Sequence, residues 1–254
     1  MGTRLTVFNQ KGGVGKTTTT LNLGAALARA GFSPVLVDLD AQAHLTSILN
    51  PISSSKESLF ALYSESKPLA GIARPVAFGG QLLPAHTELI KIDSMFGKGP
   101  DVLNRLKQSL DAGYERSQPV VIDCSPMLGV LSLSAVFATE RVLVPVSADY
   151  LAMKGAVALE KTLKALEHVL KQRVERRYVI TRFDSRRRMA HDIAAQLGER
   201  FGAELCETRI AESVGIAESP AFGKDIFTHD PEGRGAQDYA KLLDELRSSG
   251  FWNV

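Results

Sequence analysis

The chain has 254 residues, 30 Lys+Arg against 28 Asp+Glu, a formal charge of +2, and is 44% hydrophobic and 23% charged. Those are ordinary proportions for a globular protein with a sizeable core. The sequence holds no run of 18 apolar residues to span a membrane and no long apolar stretch after Met1-Gly2-Thr3-Arg4-Leu5. Its two cysteines, Cys124 and Cys206, are too few for a disulfide scaffold or a four-cysteine zinc site. The composition therefore predicts a reduced, cytoplasmic protein, and the near-neutral total argues against a strongly basic nucleic-acid binder.

In chain order, Leu5-Thr6-Val7-Phe8 reads as a first strand and residues 17–30 as a helix, with Leu21, Ala25, Leu27 and Ala28 along one side. Val35-Leu36-Val37 is a second strand, framed by Gly31 and Pro34 before it and acidic residues after it. Residues 51–99 are the least regular and read as short helices and turns around a strand at Gln81-Leu82-Leu83. Further strands follow at 120–122, 142–146 and 178–181, and Cys206 falls in another. Helices are predicted over 131–138, 151–170, 188–201 and 236–248. The strands are continuously apolar rather than alternating, as strands buried on both faces are. Strand–helix repetition of this kind predicts an α/β fold: a mostly parallel, twisted sheet with helices on both faces. No linker, internal repeat or low-complexity tract divides the chain, so one domain over 1–254 is expected.

Asn9-Gln10-Lys11-Gly12-Gly13-Val14-Gly15-Lys16-Thr17-Thr18 lies between the first strand and the first helix. A glycine-rich turn there lets backbone N–H groups face a polyphosphate, and the helix N-terminus adds unpaired donors and its positive dipole end. Lys16 is placed to reach the β/γ-phosphates and Thr17 to offer its hydroxyl to Mg²⁺, while Gly12, Gly13, Val14, Gly15 and Thr18 form the cradle. The general P-loop pattern asks for glycine where Gln10 stands; here a second lysine, Lys11, opens the loop. Asp38 and Asp40 close the second strand with side chains on the same side, at the end of the sheet where ligands bind. Asp123 follows a buried strand, the position of a carboxylate that orders Mg²⁺, and with Asp38 it is a candidate metal residue.

With Lys11 in view, the sequence resembles the ParA/MinD family of deviant Walker A P-loop ATPases. The resemblance runs through Lys11-Gly-Gly-Val-Gly-Lys16-Thr-Thr, Val35-Leu-Val-Asp-Leu-Asp40-Ala-Gln-Ala-His-Leu-Thr46, Val121-Ile-Asp123-Cys-Ser-Pro126 and Val142-Leu-Val-Pro145-Val. Thr181-Arg-Phe-Asp-Ser-Arg186 and Ile216-Ala-Glu-Ser-Pro-Ala-Phe-Gly-Lys224 look like the ParA branch. It implies a Mg²⁺-dependent ATPase, slow alone and stimulated by a ParB-like or cargo-adaptor partner. It also implies a homodimer with ATP sandwiched between subunits, Asp40 orienting the attacking water and Lys11 reaching the partner's phosphates. The cargo would be a plasmid, a chromosome or a protein organelle such as the carboxysome.

Residues 171–200 carry nine basic groups against four acidic ones, a net of +5. In ParA relatives an arginine just after the Asp-Ser pair contributes to non-specific DNA binding. Arg186 takes that position, with Arg187 and Arg188 adjoining, so the resemblance implies a nucleoid-associated protein. Gly215 stands where the family often has another arginine. A MinD-like switch on a membrane or protein surface is the alternative, but residues 203–254 carry a net of −5, repulsive to anionic lipid. Phe251 and Trp252 are expected to pack on the body, and no membrane partner is expected. A redox relative of the nitrogenase iron protein would need cluster-bridging cysteines, and Cys124 and Cys206 read as small buried residues. His44, His86, His168, His191 and His229 show no metal-ligand spacing.

Overall fold

The apolar runs all enter one sheet. A computed structural model describes residues 3–52, 54–97, 99–139, 141–171 and 173–254. In chain order its elements are β1 (Arg4–Val7), α1 (Lys16–Arg29), β2 (Val35–Leu39), α2 (His44–Leu49), α3 (Leu59–Glu65), β3 (Arg74–Pro75) and β4 (Gln81–Leu83). Then come α4 (Ile92–Phe96), α5 (Pro100–Gly113), β5 (Val120–Cys124), α6 (Val130–Thr139), β6 (Arg141–Ser147) and α7 (Tyr150–Leu170). The chain ends with β7 (Glu175–Phe183), α8 (Arg188–Phe201), β8 (Leu205–Ala211), α9 (Val214–Glu218), α10 (Ile226–His229) and α11 (Arg234–Ser248).

The eight strands lie in the order β3-β4-β2-β5-β1-β6-β7-β8. Every pairing is parallel except that of the two-residue β3 with β4. Alternation sorts each strand between two cores although every position is apolar. Val35, Val37, Val120 and Ile122 face the side packed by α5, α6, α7 and α8. Leu36, Val121, Leu143 and Val179 face the side packed by α1 and α11. On that second side α1 presses close to β2: a Cβ on Gly24 would stand 2.6 Å from Leu36 Cδ2.

The helix α5 is absent from the sequence reading. Proline at its first turn and Val102, Leu106 and Leu110, spaced four apart and buried, were its only signals. Phe251 and Trp252 pack inside as expected, and Trp252 Nε1 donates to the Thr3 carbonyl at 2.9 Å, tying the last residues to the start of β1. The outer edge of β8 is covered from α11. Glu245 accepts from the Glu207 and Thr208 N–H groups at 2.7 and 2.8 Å, and Asp238 from the Ala211 N–H at 2.9 Å. Among the described residues, no helix is long and apolar enough to cross a membrane.

Candidate functional site

The loop after β1 turns at the carboxyl end of the central strands and runs into α1. Gly13 and Gly15 adopt φ of +75° and +89°, a region that residues with a Cβ rarely occupy, and this directs the loop over the helix N-terminus. A Cβ on Gly12 or Gly13 would meet nothing within 4 Å, so the space above the loop is open. Neighbouring strands hold the loop from behind. Thr181 Oγ1 donates to the Val14 carbonyl at 2.9 Å, and Asn9 donates to the Pro145 carbonyl at 2.8 Å while accepting from the Lys11 N–H.

The two lysines point differently. Lys16 is buried, and its Nζ donates to the Lys11 carbonyl at 3.0 Å. Burial pulls its ammonium below the usual lysine range, while the carboxylates of Asp123 and Asp40 pull the other way. Lys11 instead reaches Asp149 at the start of α7, Nζ to Oδ1 at 2.6 Å. Asp149 also caps α7 through the Ala152 N–H and accepts from the Ser147 hydroxyl at 2.6 Å. These donors, chiefly Lys11 and Ser147, outweigh its partial burial and hold its carboxyl below the ordinary range.

The three aspartates separate into different tasks. Asp123 is buried on β5 and neither oxygen has a well-directed hydrogen bond. Burial, and then repulsion from Asp38, push its pKa well up, opposed by the nearby Thr17 hydroxyl and Lys16. Asp38 stands directly opposite Asp123 in the register. Its Oδ1 accepts from the Asp40 N–H at 3.1 Å, and its Oδ2 from the Thr46 N–H at 2.8 Å and the Thr46 hydroxyl at 2.7 Å. Its oxygens thus hold residues 40–46 in place. Desolvation nonetheless raises its pKa to about 6. Asp40 lies just beyond the strand, accepts from the Gln42 N–H at 2.9 Å, and lines a pocket of about 370 Å³ with the loop glycines, Lys16, Thr17, Thr18 and Pro126.

These residues fit a polyphosphate with Mg²⁺. A buried carboxylate without donors, next to a hydroxyl and an ammonium, is the environment such a cation satisfies. Among the described residues no three His, Cys, Asp or Glu side chains form a metal cage. Magnesium bound chiefly by phosphates, waters and one carboxylate needs none.

Sequence reasoning missed Asp149 and named Thr181 only within the ParA-like stretch, without its hold on the loop, because their partners are distant in the chain, although an Asp after a strand and before a long helix is a readable cap signal. It also missed a second hollow of about 290 Å³ that shares Gly13, Gly15 and Thr18 with the loop and is walled by Arg182, Ile210, Ile216, Ala217 and Pro220. Arg182 has φ of +51°, a strained value for an arginine, at the point where β7 leaves the sheet beside this hollow.

The basic run of 171–200 does not form one face. Arg173, Arg176 and Arg177 lie at the start of β7, and Arg182, Arg186, Arg187 and Arg188 at or beyond its far end. Arg173, Arg176 and Arg200 are engaged by Glu204, Glu167 and Glu160, and Arg177 stands over the Phe251 ring. Arg186 and Arg187 pair with Asp184, and Arg188 with Asp192 at 3.9 Å, yet their side chains are 88%, 66% and 94% exposed. Cys124 and Cys206 are buried on opposite faces of the sheet.

Strand, glycine-rich turn, helix and an unpaired carboxylate on the adjacent strand define a P-loop nucleotide-binding protein of the α/β class. A family model described as an AAA domain, AAA_31, matches residues 2–176. The chain is 38% identical over 244 residues to the chromosome-partitioning ATPase Soj of Thermus thermophilus, covering 96% of this chain and 94% of that protein. Among solved structures, it resembles cobyrinic acid a,c-diamide synthase of Mycobacterium smegmatis with a bound ATP analogue and magnesium, at 27% identity and a TM-score of 0.83, covering 98% of this chain and 96% of that one. A putative plasmid partition protein of Borrelia burgdorferi bound to AMPPNP has the same fold, with a TM-score of 0.84 at 21% identity, covering 98% of this chain and all of that one. The chain belongs to the ParA/MinD family of ATPases, on its ParA-like branch.

Proposed function

We propose that this protein is an ATP-gated switch that dimerises around ATP, binds DNA without sequence preference in that state, and positions a cargo. The observation that carries this reading is the division of labour between the loop lysines. Lys16 turns into its own loop, whereas Lys11 stands at the rim, 30% exposed and held by Asp149. In this reading Lys16 and the loop N–H groups bind the β/γ-phosphates, Thr17 and Asp123 hold Mg²⁺, and Asp40 orients the attacking water. Mg²⁺ supplies charge neutralisation at the phosphates. The hollow beside the loop, lined by Ile210, Ile216 and Pro220, receives the adenine. Lys11 leaves Asp149 to meet the second subunit's nucleotide. Exposed Arg186, Arg187 and Arg188 contact DNA phosphates, an interaction that needs clustered cations and no base readout. Hydrolysis is slow alone and accelerated by a partner, which releases the dimer.

The test is light scattering and turnover with Mg–ATP. Lys11→Ala retains ATP binding but stays monomeric and hydrolyses at no more than about 1% of the parent rate. Asp40→Ala accumulates as an ATP-bound dimer, and Arg186→Glu keeps the dimer but loses DNA retention in low salt. Full turnover by Lys11→Ala would overturn the sandwich, and unchanged DNA binding by Arg186→Glu would overturn the DNA surface.

A further inference from the structure

Asp40 sits on a tight turn between β2 and α2. Its N–H donates to Asp38 Oδ1 at 3.1 Å, its carbonyl accepts from the Ala43 N–H at 2.8 Å, and its Oδ1 from the Gln42 N–H at 2.9 Å. Ala43, which closes the turn and precedes α2, has φ of +53°, a left-handed value that strains an alanine. A strained turn of this kind persists only where its surroundings hold it.

One carboxylate holds both ends. Asp38 Oδ1 takes the front through the Asp40 N–H, and Oδ2 takes the back through the Thr46 N–H at 2.8 Å and the Thr46 hydroxyl at 2.7 Å. Ala43 has no side-chain cap to offer α2, so Asp38 satisfies a first-turn N–H of that helix from the strand. The Thr46 hydroxyl also accepts from the Ala85 N–H at 2.8 Å, just past β4. An amide N–H only donates, so the hydroxyl proton is left for Asp38 and the direction of the chain from Ala85 through Thr46 to Asp38 is fixed. Asp38, Thr46 and Ala85 are all buried, and a buried group that loses its partner is costly.

We propose that Thr46 is a positioning residue for hydrolysis: its hydroxyl, acting through Asp38, fixes the turn that carries Asp40. This role rests on the reading of Asp40 as the residue that orients the attacking water. Binding and hydrolysis then separate. The phosphate loop is held through β6 and β7, by Pro145 and Thr181, on the opposite side of β1 from β2. Loosening the turn at Thr46 therefore reaches the attacking water and spares nucleotide affinity. A small displacement is enough, because rate depends steeply on the alignment of the reacting groups.

The test measures kcat, KM for Mg–ATP and Mg–ADP affinity in the whole protein, below the melting transition of each variant. Thr46→Val keeps the side chain's shape and removes the hydroxyl. It should lower kcat about tenfold or more while KM and Mg–ADP affinity stay within about twofold, and Thr46→Ser should recover the parent kcat. Thr46→Val leaves the Ala85 N–H unpaired and can fail to fold; Thr46→Cys, whose thiol accepts and donates weakly, then carries the test and should show the same split. Asp40→Ala is assayed alongside. A slow Asp40→Ala with parent-like turnover in the Thr46 variant overturns the positioning role and leaves the reading of Asp40 standing. Parent-like turnover by Asp40→Ala removes that reading and the positioning role with it. A fall in kcat matched by an equal loss of nucleotide affinity, or not recovered by serine, would make Thr46 a structural residue only and also overturn the proposal.

Discussion

Asp123 is a residue whose worth to the protein reverses with its surroundings. Its carboxylate is buried without a directed donor, and Asp38 stands directly across the register, so the fold disfavours the ionised form. A carboxyl with a raised native pKa binds protons more tightly folded than unfolded. The stability it contributes is present at low pH and lost as pH rises from about 4 toward the raised value. Asp123→Asn removes that ionisation. In thermal melts without nucleotide, the variant should gain on the parent as pH rises from about 4 to 7, by roughly 1 to 3 kcal/mol at neutrality. Its Mg²⁺-dependent hydrolysis should be lost; a gap independent of pH would remove Asp123 as the cause. Asp38 marks the limit of reading such residues from the chain. Its two-residue spacing from Asp40 is visible in the chain, but its partner Thr46 returns to it only because residues 40–46 fold back over the strand end. The glycines and lysines of the loop were legible because their residue types state their conformational and charge requirements locally.

At the level of elements, α1 couples the phosphate loop to the sheet, and its closest approach is Gly24 against Leu36, a fully buried side chain. Alanine would raise the helix's intrinsic propensity by about 1 kcal/mol, yet its methyl must displace Leu36 within a packed core, costing about 1 to 3 kcal/mol. Gly24→Ala should therefore be neutral to destabilising by about 2 kcal/mol in denaturant titration, and it should weaken nucleotide binding if α1 shifts along β2. A gain in stability would show that Leu36 yields freely. The strands and long helices were readable because β2, β5 and β6 are uninterrupted apolar runs and α8 and α11 show a broad apolar stripe. The helix α5 was not, since its three buried side chains make a narrow stripe between polar residues. The two residues of β3 gain strand character only from pairing with β4.

For the molecule as a whole, closure depends on Trp252, fully buried and bonded to the Thr3 carbonyl. Truncation to alanine should cost about 3 to 5 kcal/mol and lower the melting temperature as one transition. A separate early transition would mean that the last residues fold apart from the sheet. The opening charge of +2 divides into a basic middle and an acidic C-terminal part, but folding redistributes both. The middle splits between the two ends of β7. Part of the acidic excess, Asp238 and Glu245, turns to the β8 backbone instead of forming a solvated face. That arrangement has a consequence for crowding. An exposed edge strand invites a neighbour to add its own strand, and a protein gathered at high local density meets that hazard continually. Here carboxylates already occupy three of the edge N–H groups, so two copies that collide are kept from merging sheet to sheet.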